Sequence, residues 1–265
     1  MKTMTQADKK ILKNAYDVLE SPGFAIQVMN KIGKPLELGM NSLPKSINKK
    51  VEAVSRIALT KSAKMALFTM SKSKAASPSN WLHRTTVWAT GFGGGFLGIY
   101  GTLAEIPIST TIMLRSIFDI ARSEGEDLSS PETGIAALQV FALGGNNSND
   151  DLADSAYYAV RVGMSLEVKS ALDFLAKSGG KLADKSAPAI VKLISKIAAR
   201  FGVTVSEKAA AQAMPFVGGA IGAIINDIFI AHYQNMARGH FTVRRLERKY
   251  GKELVQETYE SFKGK

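Results

Sequence analysis

Seven polar residues stand where the chain is otherwise apolar, and any chemistry has to be sought there first. Glu105, Arg115 and Asp119 share a run with Ile106, Ile112, Met113, Leu114, Ile117 and Phe118. Asn226, Asp227, Arg238 and His240 belong to a second run that opens at Gly218-Gly219. Thr111, Arg115, Asp119 and Arg122 keep helical spacing, as do Asp227, Gln234 and Arg238. Each stripe could be a ladder facing water. The flanking isoleucines leave little room for a broad solvated face. A charge taken out of water must be paired, so Arg115 is expected to meet Glu105 or Asp227 across a core. Buried networks of this kind are structural more often than catalytic.

Other catalytic signatures are poor. There is no Walker loop, no His-Glu-x-x-His and no Gly-x-Ser-x-Gly. Gly93-x-Gly95-x-x-Gly98 matches a dinucleotide fingerprint as a string, but no strand precedes it. His83, His232 and His240 have no partners at metal-ligand spacing. Asp150, Asp151 and Asp154 read as a helix start. With no cysteine, disulfides and thiolate chemistry are excluded. No catalytic residue is assigned, and no cofactor or metal is predicted. An enzyme built on this chain would be hydrolase-like, with Glu105, Arg115, Asp227 and His240 in one cleft.

The elements that must position these residues are helices. Strand signals are nearly absent, with Val203-Thr204-Val205 as the one fragment, so the fold class is all-α, a multi-helix single domain. Thr5-x-x-Asp8 caps a first short helix, and Ser42-Leu43-Pro44 opens a longer one. In that second helix Leu43, Ile47, Val51, Val54, Ala58 and Met65 fall near one face. Lys45, Lys49, Lys50, Arg56, Lys61 and Lys64 cover the rest. A basic amphipathic helix can lie on a bilayer, or its apolar face can pack on its own domain. Pro107 is expected to begin a helix reaching Ser123, Phe201-Gly202 to close another, and Thr204-x-x-Glu207 to cap the next.

Thr85 to Ala104 is 20 residues without a charge and contains six glycines. Gly94 and Gly98, and Gly218 and Gly222, are four apart, a spacing that lets helix backbones approach closely. The two glycine-rich apolar helices are therefore read as a central, hairpin-like pair. A buried core is the first expectation for them and insertion into a bilayer the second.

Charge is unevenly placed. The chain carries +11 in total, with 15 Lys/Arg against 5 Asp/Glu in residues 1–84 and 19 against 18 in the remainder. Such a basic segment is an electrostatic address for an anionic surface. Arg244, Arg245, Arg248 and Lys249 sit in no recognised reading module, which argues against nucleic acid.

Several strings together resemble the EcsC protein family of bacteria. They are Glu105 to Ile117, Ala121 to Leu128, Glu132, Val140 to Gly145, Tyr157 to Arg161, Arg200 to Pro215, Gly218-Gly219, Asn226 and Ala237 to Gly251. The resemblance covers roughly residues 85–251 and implies three parts: a basic helical segment 1–84, a domain 85–251 and a charged tail 252–265. It implies a bacterial helical protein working beside an ABC transporter at the cytoplasmic face of the membrane, and no established reaction. The functional expectation is a non-enzymatic protein, cytoplasmic or peripheral to the inner face of the cell membrane. Its partner would be anionic lipid or a membrane protein of the ABC-transporter type, with a soluble adaptor as a third reading.

Overall fold

The computed structural model describes residues 3–32, 45–69, 98–145, 156–178, 188–213 and 219–263. Among them are ten α-helices and no strand. In chain order they are α1 Gln6–Leu19, α2 Phe24–Ile32, α3 Lys45–Thr69, α4 Gly98–Ser123, α5 Pro131–Gln139, α6 Ala156–Gly163, α7 Ser165–Lys177, α8 Pro188–Ala213, α9 Gly219–Tyr250 and α10 Lys252–Glu260. A single 3₁₀ turn, Val140–Ala142, follows α5. The fold is all-α, as the hydrophobic periodicity requires.

Cap chemistry fixes the start of α1. The Thr5 hydroxyl accepts from the Asp8 backbone N–H at 3.2 Å, filling an orphan donor of the first turn. Asp8 then tethers the two ends of the chain, because its carboxylate also accepts from Lys249 Nζ at 2.7 Å and Tyr250 OH at 2.6 Å. These contacts hold the Asp8 carboxyl down at about 2, Lys249 contributing most. Ser130 caps α5 ahead of Pro131 at its first position. The remainder of α5 is enclosed on every side, since Thr133 to Gln139 are all buried.

Two expected boundaries are absent. α4 runs unbroken through Pro107, and α8 runs through Gly202 and the Val203-Thr204-Val205 fragment. Proline costs α4 one backbone hydrogen bond, but Glu105, Ile106, Ser109 and Thr110 around it are all buried, and that packing holds the helix together. In α8, Phe201, Thr204 and Val205 are buried, so tertiary packing overrides local β and breaker propensities.

The apolar face of α3 lies inside the protein. Ile47, Val51, Ala58, Leu59 and Ala63 are buried and Val54 is half-buried, where α3 packs on α4 and α8. The positions of Leu43 and the Met65 side chain are outside the described residues. Small residues on both sides, Ser55, Ala58 and Ser62 on α3 and Ala198, Gly202 and Ala209 on α8, are buried.

Helices α4 and α9 are neighbours, but parallel ones rather than a hairpin. Ser116 bonds to Gln234, Glu124 to Arg245 and Glu126 to Arg244, so residue numbers rise together along both helices. Of the glycines expected at their contact, Gly94 and Gly218 lie outside the described residues. Gly98 opens α4, and Gly222 is buried in α9. A close approach occurs elsewhere, at Gly239, where α9 crosses α1. A Cβ there would stand 2.6 Å from Leu19 Cγ.

Candidate functional site

Two polar centres are buried in the core, and neither is the network expected from spacing. In the first, Lys208 from α8 reaches between α4 and α9. Its ammonium donates to Glu105 Oε1 at 3.0 Å and to Asn226 Oδ1 at 2.7 Å, and lies 4.6 Å from the Phe229 ring centre. The Lys208 side chain is 0% exposed and that of Glu105 3%. Burial pulls the Lys208 pKa down, while the Glu105 charge opposes the shift. Glu105 Oε2 is buried with no hydrogen-bond partner among the described residues.

Arg115 and Asp227 do not join this pair. Both are exposed, as is Arg238, which bonds to Asn235 within its own helix. Asp119 lies 3.7 Å from Arg122. The expected buried stripe on α4 is thus a solvated face, and the partner of Glu105 comes from a third helix. Glu105 and Asn226 are inside as expected, and Lys208 is the member that spacing along one helix could not reveal.

The second centre holds His240. Its Nδ1 shares a 3.0 Å hydrogen bond with Tyr157 OH, which accepts from Arg161 at 3.2 Å. Arg161 also grips Glu247 with two bonds, at 2.6 and 3.0 Å, and Tyr158 OH donates to the same carboxylate at 3.3 Å. Burial first, then the nearby Arg161 and Arg244 charges, push the His240 pKa well below its ordinary value. A neutral imidazole without access to water is a packing and hydrogen-bonding group. His232 is likewise buried, and burial lowers it to about 4. The position of His83 is outside the described residues.

A cavity of about 180 Å³ opens between the α1–α2 turn, the Leu143–Gly145 turn and α6. The one carboxylate on its wall, Glu20, already accepts from Tyr259 OH and from the backbone N–H groups of Ala156 and Tyr157. The expected cleft joining Glu105, Arg115, Asp227 and His240 is not formed, because two of these residues face solvent and the other two belong to separate buried centres.

The arginines of the exit helix have acidic partners. Arg244 makes two 2.9 Å bonds to Glu126, Arg248 pairs with the same carboxylate, and Arg245 reaches Glu124 at 2.6 Å. Glu207, expected in the first turn of a helix capped by Thr204, lies inside α8 instead. Glu207 is buried, and burial raises its carboxyl to about 7 against a weaker opposing hydrogen bond from the Ala25 backbone.

The outer face of α3 remains. Lys49, Lys50, Arg56, Lys61 and Lys64 are exposed there beside a single exposed acid, Glu52. Ile57, 52% exposed, sits among them. The side chain of Lys45 is outside the described residues. The neighbouring α8 exposes Lys192 and Lys196 and no acid, its only carboxylate being the buried Glu207. Among the described residues no helix is long and apolar enough to cross a membrane, and no group of acids and histidines could hold a metal ion.

No curated protein and no solved structure matches the chain. A sequence profile described as the EcsC protein family matches residues 6–246. The match begins in α1, so it takes in the basic N-terminal helices as well as the strings from Glu105 onward. Over residues 6–246, which include the buried Lys208–Glu105 pair, the chain belongs to the EcsC protein family.

Proposed function

We propose that this protein is a non-enzymatic helical scaffold that docks on an anionic membrane surface through the outer face of α3. The observation that carries the reading is the exposed set Lys49, Arg56, Lys61 and Lys64 along α3, a helix with one acid, Glu52. Each Lys or Arg held near an anionic bilayer contributes about 1 kcal/mol, and the attraction fades within a Debye length of about 10 Å. The mode is electrostatic contact rather than burial of an amphipathic helix, since the apolar face of α3 is already covered by α4 and α8. Work at the inner face of the cell membrane, beside an ABC-transporter-type membrane protein, is the setting the family resemblance implies.

The test is co-sedimentation with anionic and neutral vesicles, comparing the native chain with Lys49→Glu/Lys61→Glu/Lys64→Glu. All three side chains are exposed, so the variant should fold. The reading expects pelleting on anionic vesicles only, reversal by high salt and loss in the variant. Equal pelleting on both lipids, or an unaffected variant, would overturn it.

A further inference from the structure

We infer that the elbow between α6 and α7 is a shallow bilayer anchor, an inference that rests on the membrane reading above. Val162 and Leu166 flank this elbow and are 66% and 77% exposed. Met164 at its apex is 1% exposed and tied into the core, so the two apolar side chains are thrown outward together. Lys196 from α8 braces the turn, donating to the Gly163 carbonyl and to Glu167 Oε1 at 2.9 Å.

Charge selects the occupant. Lys169, Lys192 and Lys196 are exposed around the elbow, and of the acids there Glu167 is neutralised by Lys196 and Asp173 lies two turns along α7. Two aliphatic side chains beside the exposed Lys169 and Lys192 match an anionic headgroup layer over an acyl region, with cations at the phosphates and methyl groups beneath. Helix α8 packs against both α3 and α7, and its acid-free outer stripe, with Lys192 and the 50% exposed Val191, carries the same chemistry beside the elbow. The basic helix supplies attraction over distance, and the elbow adds a short-range apolar contact too small to hold the protein once salt screens the charge.

The chain has no cysteine, so Leu166→Cys gives a unique attachment point for an environment-sensitive fluorophore. Asn235→Cys, exposed on α9, is the comparison position. With vesicles containing phosphatidylglycerol, the label at position 166 should brighten and become quenchable by brominated acyl chains, while that at 235 should stay unchanged. Leu166→Asp should weaken vesicle binding about tenfold, as expected for one aliphatic side chain no longer buried. Vesicles that pellet the protein without altering the label at 166 would overturn the anchor and leave the basic-face reading standing. Failure to pellet at all would remove both. Brightening at 166 that follows protein concentration without lipid would mean self-association, and would also overturn the anchor.

Discussion

Lys208 and Glu105 form an ion pair at 3.0 Å in which neither side chain is more than 3% exposed. With Asn226 as the second acceptor, the pair ties α8, α4 and α9 at one level. A buried pair adds little net stability over an apolar replacement, yet removing one partner strands the other charge.

Lys208→Met and Glu105→Leu should therefore each destabilise the fold by about 3–5 kcal/mol. The double variant should be more stable than either single one. Urea denaturation of the four proteins gives the coupling. Singles costing under about 1 kcal/mol would show that the pair imposes no constraint.

Glu207 makes a prediction about pH. Its folded pKa, about 7, lies above the ordinary 4.5, so between these values the folded state holds a proton that the unfolded state has released. Stability from this group is full below about pH 4.5 and falls as pH rises towards 7. Glu207→Gln should flatten that slope and raise stability at pH 8 by up to about 3 kcal/mol. Unfolding midpoints at pH 5 and pH 8 check it, and an unchanged slope would exclude Glu207 as the source.

Gly239 is a packing constraint. A Cβ at this position would stand 2.6 Å from Leu19 Cγ and 3.0 Å from Cδ2. Gly239→Ala should cost about 1–3 kcal/mol by overpacking. Adding Leu19→Ala should then cost less than it does in the native background. Additive penalties in thermal denaturation would place the strain elsewhere.

The Arg161–Glu247 clamp joins α6 to the end of α9 through two bonds, with the side chains 19% and 7% exposed. Arg161→Leu should destabilise by about 2–4 kcal/mol, the penalty of an unpaired carboxylate reduced for partial access to water. Glu247→Gln, which keeps an acceptor for Tyr158, should cost less. Equal losses would argue that the neutral hydrogen bonds carry the contact.

The α class, the cap at Thr5 and the two faces of α3 could be read from residue order alone, because each depends on local spacing and on groups a few residues apart. The same kind of reading put Glu105, Asn226 and His240 in the interior correctly and Arg115, Asp227 and Arg238 there wrongly. Periodicity reports that residues share a stripe, while neighbouring helices decide which stripe is covered. Only the tertiary arrangement could supply the partners: Lys208 is 103 positions from Glu105, and Arg161 is 86 from Glu247. It also decided that Pro107 and Gly202 would sit inside helices, since burial on both flanks outweighs a lost hydrogen bond or a weak propensity. The basic character of α3 was a property of sequence. Its apolar face being closed to lipid was a property of packing against α4 and α8, which no local pattern encodes.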